Sequence, residues 1–176
     1  MKNRNWRTKL KLFLTETGEE IPIPSGADVG IRQSLSVLPQ AGSGRRSVNG
    51  VRISLKNPLF QKFITDISAN DNLPVALAGL WPEELVTVHS VHVLPQRPST
   101  ATQTTLIRPP VSGSVYAVDD DGNLMDISIA GAVVTHPAIT KIIFFSPILE
   151  CALISPSSDR DDDAASVSWN LTFEEV

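Results

Sequence analysis

The stretch that decides the fold is residues 44–89, GRRSVNGVRISLKNPLFQKFITDISANDNLPVALAGLWPEELVTVH. Near its start, the pair Asn49-Gly50 is typical of a type I′ hairpin turn. Apolar and polar residues then alternate strictly, which predicts a strand with Val51, Ile53 and Leu55 facing a core. The stretch contains no convincing arrangement of nucleophile, base or metal ligand, and this argues against catalysis.

One short helix is expected within the same stretch. Asn57 is a suitable N-cap and Pro58 suits the first helical position. Apolar residues then recur at helical spacing, at Phe60, Phe63, Ile64 and Ile67. Residues 63–68 fit a strand equally well, so the pattern favours a helix only in its first turns. A second short helical turn is expected over residues 74–80, stopped near Gly79 and Pro82. The corner residue Trp81 is then expected in the core.

The rest of the chain predicts strands and loops. Strands are expected at residues 9–14, 31–38, 85–94, 111–118, 124–129, 141–145, 151–154 and 166–173. Residues 95–110 contain four prolines and predict an exposed excursion. Residues 119–123 predict a hairpin turn, and residues 159–163 a charged turn. We therefore expect one domain over residues 1–176, mainly β, an antiparallel barrel or sandwich with one or two short helices.

Composition limits the class of protein. The chain has 176 residues, of which 41% are hydrophobic and 19% charged, which is ordinary for a globular domain and too apolar for disorder. No window approaches the roughly 18 apolar residues of a membrane span. The basic start of the chain lacks the apolar run of a signal peptide, so we expect synthesis in the cytoplasm. Cys151 is the single cysteine and lies among apolar residues, which predicts packing and not reactivity.

Charge is distributed unevenly along the chain. Residues 1–62 carry 11 of the 15 basic and 4 of the 19 acidic residues, a net charge of +7. Residues 63–176 carry the other 4 basic and 15 acidic residues, a net charge of −11. A nucleic-acid site in the basic part is one interpretation, but few aromatic residues accompany the charges. A two-poled surface that contacts another copy or a neighbour of opposite sign fits better. The third interpretation is that the charged side chains only form two solvent-exposed faces of the domain and have no binding role.

Several motifs resemble a family of tail proteins of tailed bacteriophages. They are the runs Arg45-Arg46-Ser47-Val48-Asn49-Gly50, Ile67-Ser68 with Asp71, Pro74 with Ala76 and Leu77, Gly79-Leu80-Trp81-Pro82, Val86-Thr87-Val88, Arg108-Pro109-Pro110-Val111-Ser112-Gly113-Ser114-Val115, and the closing residues 169–176. The chain departs from the family at Ser90, where a cysteine is frequent, and at Glu83, where a glycine is usual. The resemblance implies a virion component of the tail or baseplate that acts by assembly.

Sites of other kinds fit the sequence poorly. Asp119, Asp121 and Asn123 have alternate spacing like a calcium loop, but Leu124 stands where the loop needs glycine and Ala130 where it needs glutamate. Two of the three histidines, His89 and His92, are expected on opposite faces of one strand, and His136 in a loop beside Pro137. The pair Glu83-Glu84 and the aspartate cluster could supply carboxylates for glycan hydrolysis. Nothing in the sequence places these carboxylates in an apolar pocket.

The sequence therefore predicts a structural virion protein, made in the host cytoplasm and located in the tail. It is expected to form a homo-oligomeric ring and to contact other tail or baseplate proteins, without membrane or direct nucleic-acid binding. No enzymatic activity, cofactor, or catalytic, cofactor-binding or metal-binding residue is expected. The alternative is a carbohydrate-binding or host-recognition module of the tail tip. Exposed aromatic residues would favour that alternative, but Trp6, Trp81, Trp169 and Tyr116 are scattered, and Trp81 and Trp169 are expected in the core.

Overall fold

Antiparallel strand pairing builds the part of the chain that the computed structural model describes, namely residues 9–23, 30–38, 44–54, 61–70, 80–162 and 166–176. Of residues 44–46, 52–54 and 161 only the backbone is described. These ranges contain fifteen strands and no helix: β1 (Lys11–Leu14), β2 (Arg32–Val37), β3 (Gly44–Arg46), β4 (Arg52–Ser54), β5 (Phe63–Asn70), β6 (Leu85–His89), β7 (Leu94–Gln96), β8 (Gln103–Thr105), β9 (Tyr116–Val118), β10 (Leu124–Met125), β11 (Ser128–Ala130), β12 (Val133–Thr135), β13 (Ile142–Phe145), β14 (Ile148–Asp161) and β15 (Ser166–Glu175).

The largest sheet has six strands in the order β1-β6-β14-β15-β5-β2. Its inner strand β15 alternates between buried and half-buried residues, as the alternating apolar pattern at the chain end predicts. Trp169, Leu171 and Phe173 of β15 are buried on one face. They join a cluster drawn from the neighbouring strands, which includes Leu12, Ile67, Val86, Val88, Leu149 and Leu153.

Two smaller sheets carry the second hydrophobic cluster. Four strands pair in the order β10-β9-β13-β7, and three pair in the order β11-β12-β8. The cluster consists of Leu106, Ala117, Val134, Ile143 and Phe145. The edge strands β1 and β2 of the large sheet do not pair with each other, so this sheet is not closed into a barrel. The mainly β prediction is confirmed, and of its two forms the sandwich fits.

An ion pair links the end of β15 to the segment that follows β8. Arg108 contacts Glu175 through two guanidinium nitrogens, with Nη2 3.0 Å from Oε2. The same Nη2 donates to the carbonyl oxygen of Gln61, 2.8 Å away, and the guanidinium lies over the ring of Phe63. Glu175 in turn accepts the backbone N–H of Phe63 at 2.9 Å. These contacts tie together segments that are far apart in sequence.

The helix expected through Phe63, Ile64 and Ile67 is wrong over that part, because residues 63–70 form β5. Paired on both sides by β15 and β2, β5 buries Thr65, Ile67 and Ala69 at period two. The polar Thr65 among them concealed the strand period in the sequence. The first turns of the expected helix, residues 57–60, lie outside the described residues, and so does all but Leu80 of the helical turn expected over residues 74–80.

Other boundaries also differ from expectation. The strand expected over residues 85–94 is divided, because β6 ends at His89 and β7 begins at Leu94. The expected exposed excursion at residues 95–110 contains β8, whose Thr104 is buried, and Leu106 is buried too. In the expected charged turn at residues 159–163, residues 159–161 belong to β14. The expected hairpin at residues 119–123 is confirmed as the connection between β9 and β10.

The Asn49-Gly50 hairpin joins β3 and β4, but its turn differs from the expected type I′. Among the described non-glycine residues only Glu83 has a positive φ, so Asn49 lacks the conformation that type I′ requires. The N–H of Gly50 instead bonds to the carbonyl of Ser47, and Gly50 itself has φ 78°. This is a type I turn followed by a left-handed glycine. Val51, expected in a core, is exposed, whereas the side chain of Ile53 and all of Leu55 lie outside the described residues.

Candidate assembly surface

A tight turn presents Trp81 to solvent. The N–H of Glu84 bonds to the carbonyl of Trp81 at 3.2 Å, which closes a turn with Pro82 and Glu83 at its centre. Pro82 suits the first central position, and Glu83, with φ 73°, occupies the left-handed position of a type II turn. The Glu84 carboxylate accepts the N–H of Trp81 at 3.0 Å. The core position expected for Trp81 is therefore wrong, because the turn leaves its side chain 74% exposed.

The backbone conformation at position 83 would suit glycine better than the glutamate that this chain has there. Glutamate in the left-handed region is strained, whereas glycine adopts it freely. We expect Glu83→Gly to raise the free energy of unfolding by about 0.5–1 kcal/mol. The substitution relieves the strain of the left-handed conformation, and the greater conformational entropy of glycine in the unfolded state offsets part of that gain. Urea denaturation measures this change. The matched control is Glu84→Gly, which removes a hydrogen-bonded carboxylate at a negative φ and should destabilise. Destabilisation by Glu83→Gly would contradict the turn assignment.

Among the described residues, the second half of β14 is paired on one side only. β14 pairs with β15 along most of its length but pairs with β6 only over residues 148–152. At Leu153 it is joined to the Trp81 turn, with the N–H of Glu83 2.7 Å from the Leu153 carbonyl. An irregularity follows between Leu153 and Ser155, and Ile154 within it is 41% exposed. From residue 155 to residue 161 no described strand lies against the outer edge of β14. We call residues 155–161 with Trp81 and Ile154 the β14 edge.

The β3–β4 hairpin offers a second unpaired surface. Its two strands pair with each other and with no other described strand. Val48 at its tip is fully exposed and Val51 is mostly exposed. Residues 44–54 contain three arginines and no acidic residue. We call residues 44–54 the basic hairpin.

The aspartate turn is held together by one of its own carboxylates. Asp119 Oδ1 accepts the backbone N–H groups of Asp121 at 2.9 Å and Asn123 at 2.8 Å. Its Oδ2 accepts from the Asn123 side-chain amide, and these bonds, the Asn123 amide foremost, lower the pKa of Asp119. Asp120 contacts Lys141 Nζ at 3.1 Å. The geometry is that of an Asx turn within a hairpin.

The Asx turn leads us to expect no response to calcium. The best-placed carboxylate, Asp119, already accepts hydrogen bonds from the turn and faces solvent, so a bound ion would gain little. Added calcium should shift the melting temperature by less than about 1 °C, because only a ligand bound to the folded state stabilises it. Differential scanning fluorimetry with magnesium as the control measures this shift. A rise of several degrees with calcium alone would make the turn a binding site.

The histidines do not converge. His136 is buried, and both of its ring nitrogens are hydrogen-bonded. Its Nε2 lies 3.0 Å from the Thr104 hydroxyl and its Nδ1 3.1 Å from the Pro137 carbonyl. His89 packs on the ring of Phe13, and burial, together with Lys11, lowers its pKa. Within the described ranges no group of three or more His, Cys, Asp or Glu side chains could hold a metal ion.

The glutamates considered for hydrolysis lie at the Trp81 turn. Glu83 is exposed, and the Glu84 carboxylate accepts the Trp81 N–H.

Cys151 is fully buried, as its apolar neighbours predict, and burial raises the pKa of its thiol to about 12. A thiol with that pKa is inert at neutral pH.

A groove of about 510 Å³ is lined by residues that include Lys9, Tyr116 and several serines. Two of the lining serines, Ser90 and Ser114, have hydroxyls that already bond to local partners. Ser114 donates to the Val111 carbonyl at 2.7 Å, and Ser90 donates to Gln33 Oε1 at 3.0 Å. Gln33 Oε1 also accepts the backbone N–H of Val91 at 2.8 Å, a link that the sequence did not suggest. The hydroxyl at position 90 thus has a structural role where β6 ends.

The sequence did not single out the β14 edge as a site. One local signal was present. Pro156 has no N–H to donate to a neighbouring strand, and proline within sheets is confined to edges, strand starts and bulges.

In the described ranges no helix has the length and apolar character needed to span a membrane. No family model, curated protein or solved structure matches this chain.

Proposed function

We propose that this protein is a structural component of a bacteriophage tail or baseplate, which assembles into a ring through contacts with itself and with neighbouring tail proteins. The motifs quoted above, from the arginine pair at residues 45–46 to the closing residues 169–176, support the placement in a tail. It acts in the virion after assembly in the host cytoplasm, and it works without a cofactor or a catalytic centre.

The observation that supports assembly most is that two different strand surfaces have no partner strand in the described part of the chain. The β14 edge and the basic hairpin both expose apolar side chains, Trp81 and Ile154 on the first and Val48 and Val51 on the second. Unpaired strand edges associate with other chains unless they are protected. Two unlike surfaces on one subunit allow the same contact to repeat from copy to copy, and such a contact closes into a ring when the rotation permits.

Purified particles test this proposal. Mass spectrometry of isolated tails should detect the protein in several copies per particle, and electron cryo-microscopy should place it in a ring around the tail axis. Deleting the gene should give particles with incomplete tails. The proposal fails if the protein is absent from purified tails or present in a single copy.

A carbohydrate-binding or host-recognition role is the second candidate, and the exposure of Trp81 favours it. An exposed indole, in a turn that also contains Glu83 and Glu84, is a surface on which a sugar ring can stack. Under this alternative Trp81→Ala particles should assemble normally and lose adsorption to host cells. Under the structural proposal the same substitution should leave adsorption of any assembled particle unchanged. Adsorption measured per particle, with counts from electron microscopy, separates the two.

A further inference from the structure

We propose that the β14 edge of one copy receives the basic hairpin of a second copy, which adds a strand to the six-stranded sheet. This inference rests on the proposed ring and identifies the contact that repeats around it. It commits to a second copy of this chain as the occupant. Each copy would give its hairpin to one neighbour and its β14 edge to the other.

The backbone of β14 is suited to strand addition. β14 has 14 residues, longer than most strands, and its second half carries β15 on one side only among the described residues. An unpaired edge presents a row of N–H and C=O groups that an extended segment can pair with. Pro156 removes one donor, so residues 157–161 form the longest stretch without a proline. Their length accommodates either three-residue strand of the hairpin, β3 or β4.

The sequences of the hairpin and of the end of β14 carry opposite net charges. The β14 edge contains Asp159, Arg160 and Asp161, and Asp162 follows directly after it. Arg160 contacts Asp162 at 2.6 Å with both side chains exposed. The hairpin contributes Arg45, Arg46 and Arg52. Opposite charges on the two partners speed the encounter, fix the register and disfavour pairing of like surfaces. The hairpin of one copy is therefore repelled by the hairpin of another and attracted to its β14 edge.

Apolar side chains at both surfaces would be covered by the same contact. Trp81 and Ile154 lie at the start of the β14 edge, joined through the backbone bonds at Leu153. Val48 and Val51 lie at the hairpin turn. A tryptophan that becomes buried beside aliphatic residues on binding is a usual anchor of a protein interface, and the charged residues then form its rim.

Charge reversal in the purified protein tests the contact. The hairpin variant is Arg45→Glu with Arg46→Glu, and the edge variant is Asp159→Lys with Asp162→Lys. At low salt the wild type should form oligomers in sedimentation velocity, and each variant alone should associate at least about tenfold more weakly. A 1:1 mixture should recover assembly, because the reversed hairpin fits the reversed edge and the two unchanged surfaces still fit each other.

The controls separate charge at these surfaces from charge in general. Arg97→Glu and Asp126→Lys reverse exposed charges elsewhere and should leave association unchanged. Equal melting temperatures of all variants would show that folding is retained. The inference is overturned if the wild type is monomeric at low salt, if either variant assembles as the wild type does, or if the mixture stays dissociated. A wild type that stays monomeric at low salt would indicate a different tail protein as the occupant of the β14 edge.

Failure of this inference and failure of the proposed function give different results. The sedimentation experiment needs only the purified chain, whereas the tail assignment depends on particles. Multiple copies in purified tails together with assembly-competent variants would place the ring contact elsewhere on the chain. A successful charge swap with no protein in the particles would instead retain the contact and reject the tail role.

Discussion

Trp169→Ala should lower the free energy of unfolding by about 3–5 kcal/mol, the usual cost of deleting a large aromatic side chain from a core. Trp169 is 2% exposed and lies in β15, between β14 and β5 at the centre of the largest sheet. Its partners in the cluster include Leu153, Leu171 and Phe173, which cannot all collapse into the space left by an indole. Urea denaturation followed by circular dichroism measures the loss.

The matched control is Trp81→Ala. The same chemical deletion at a side chain that is 74% exposed should cost less than about 1 kcal/mol. A conservative variant sharpens the comparison, because the Trp169 Nε1–H is buried with no acceptor among the described residues. Trp169→Phe removes this donor and keeps most of the apolar volume, so it should be much milder than Trp169→Ala. Equal losses at positions 81 and 169 would contradict the placement of both residues.

The sequence predicts the parts of this fold that depend on local periodicity. Alternation at residues 166–173 and 85–89 corresponds to β15 and β6, and the hairpin turn expected at residues 119–123 corresponds to the connection between β9 and β10. These patterns succeed because one face of each strand is buried and the period of a strand is two. The mainly β class follows from them.

The errors occur where local pattern is ambiguous. Phe63, Ile64 and Ile67 fit a helix as well as a strand, and pairing with β15 and β2 decides for the strand. Trp81 is a large apolar residue at a turn, and only the direction of the turn determines whether it is buried. That direction follows from the backbone bonds to Leu153, which is 72 residues away in the sequence.

The candidate surface could be predicted only in part. The charge difference between the two ends of the chain suggested unlike surfaces, and it is visible in the sequence. Among the described strands, β14 has an open edge because its pairing with β6 ends at residue 152 of β14, whereas its pairing with β15 continues to residue 161 of β14. No local pattern encodes the relative lengths of strands that are neighbours in space but distant in sequence.

A second large loss of stability is expected at Arg108, again a residue whose partner is distant in sequence. Arg108→Met should cost about 3 kcal/mol, because it leaves the Glu175 carboxylate buried without a cation. The Glu175 side chain is 6% exposed, and that of Arg108 is 25% exposed. The Phe63 N–H would remain as a donor to Glu175, which is why we expect the lower end of the usual range.

An exposed ion pair in the same molecule provides the control for Arg108→Met. Lys11 and Glu20 are 3.3 Å apart with both side chains about half exposed, so Lys11→Met should cost less than about 1 kcal/mol. The double variant Arg108→Met with Glu175→Gln should lose less than the sum of the single variants, since removing both charges leaves neither one buried alone. Additive losses would show that the two side chains act independently. A loss at Arg108 no larger than that at Lys11 would mean that water already solvates the Glu175 carboxylate, and the link between β15 and the segment after β8 would then rest on packing alone.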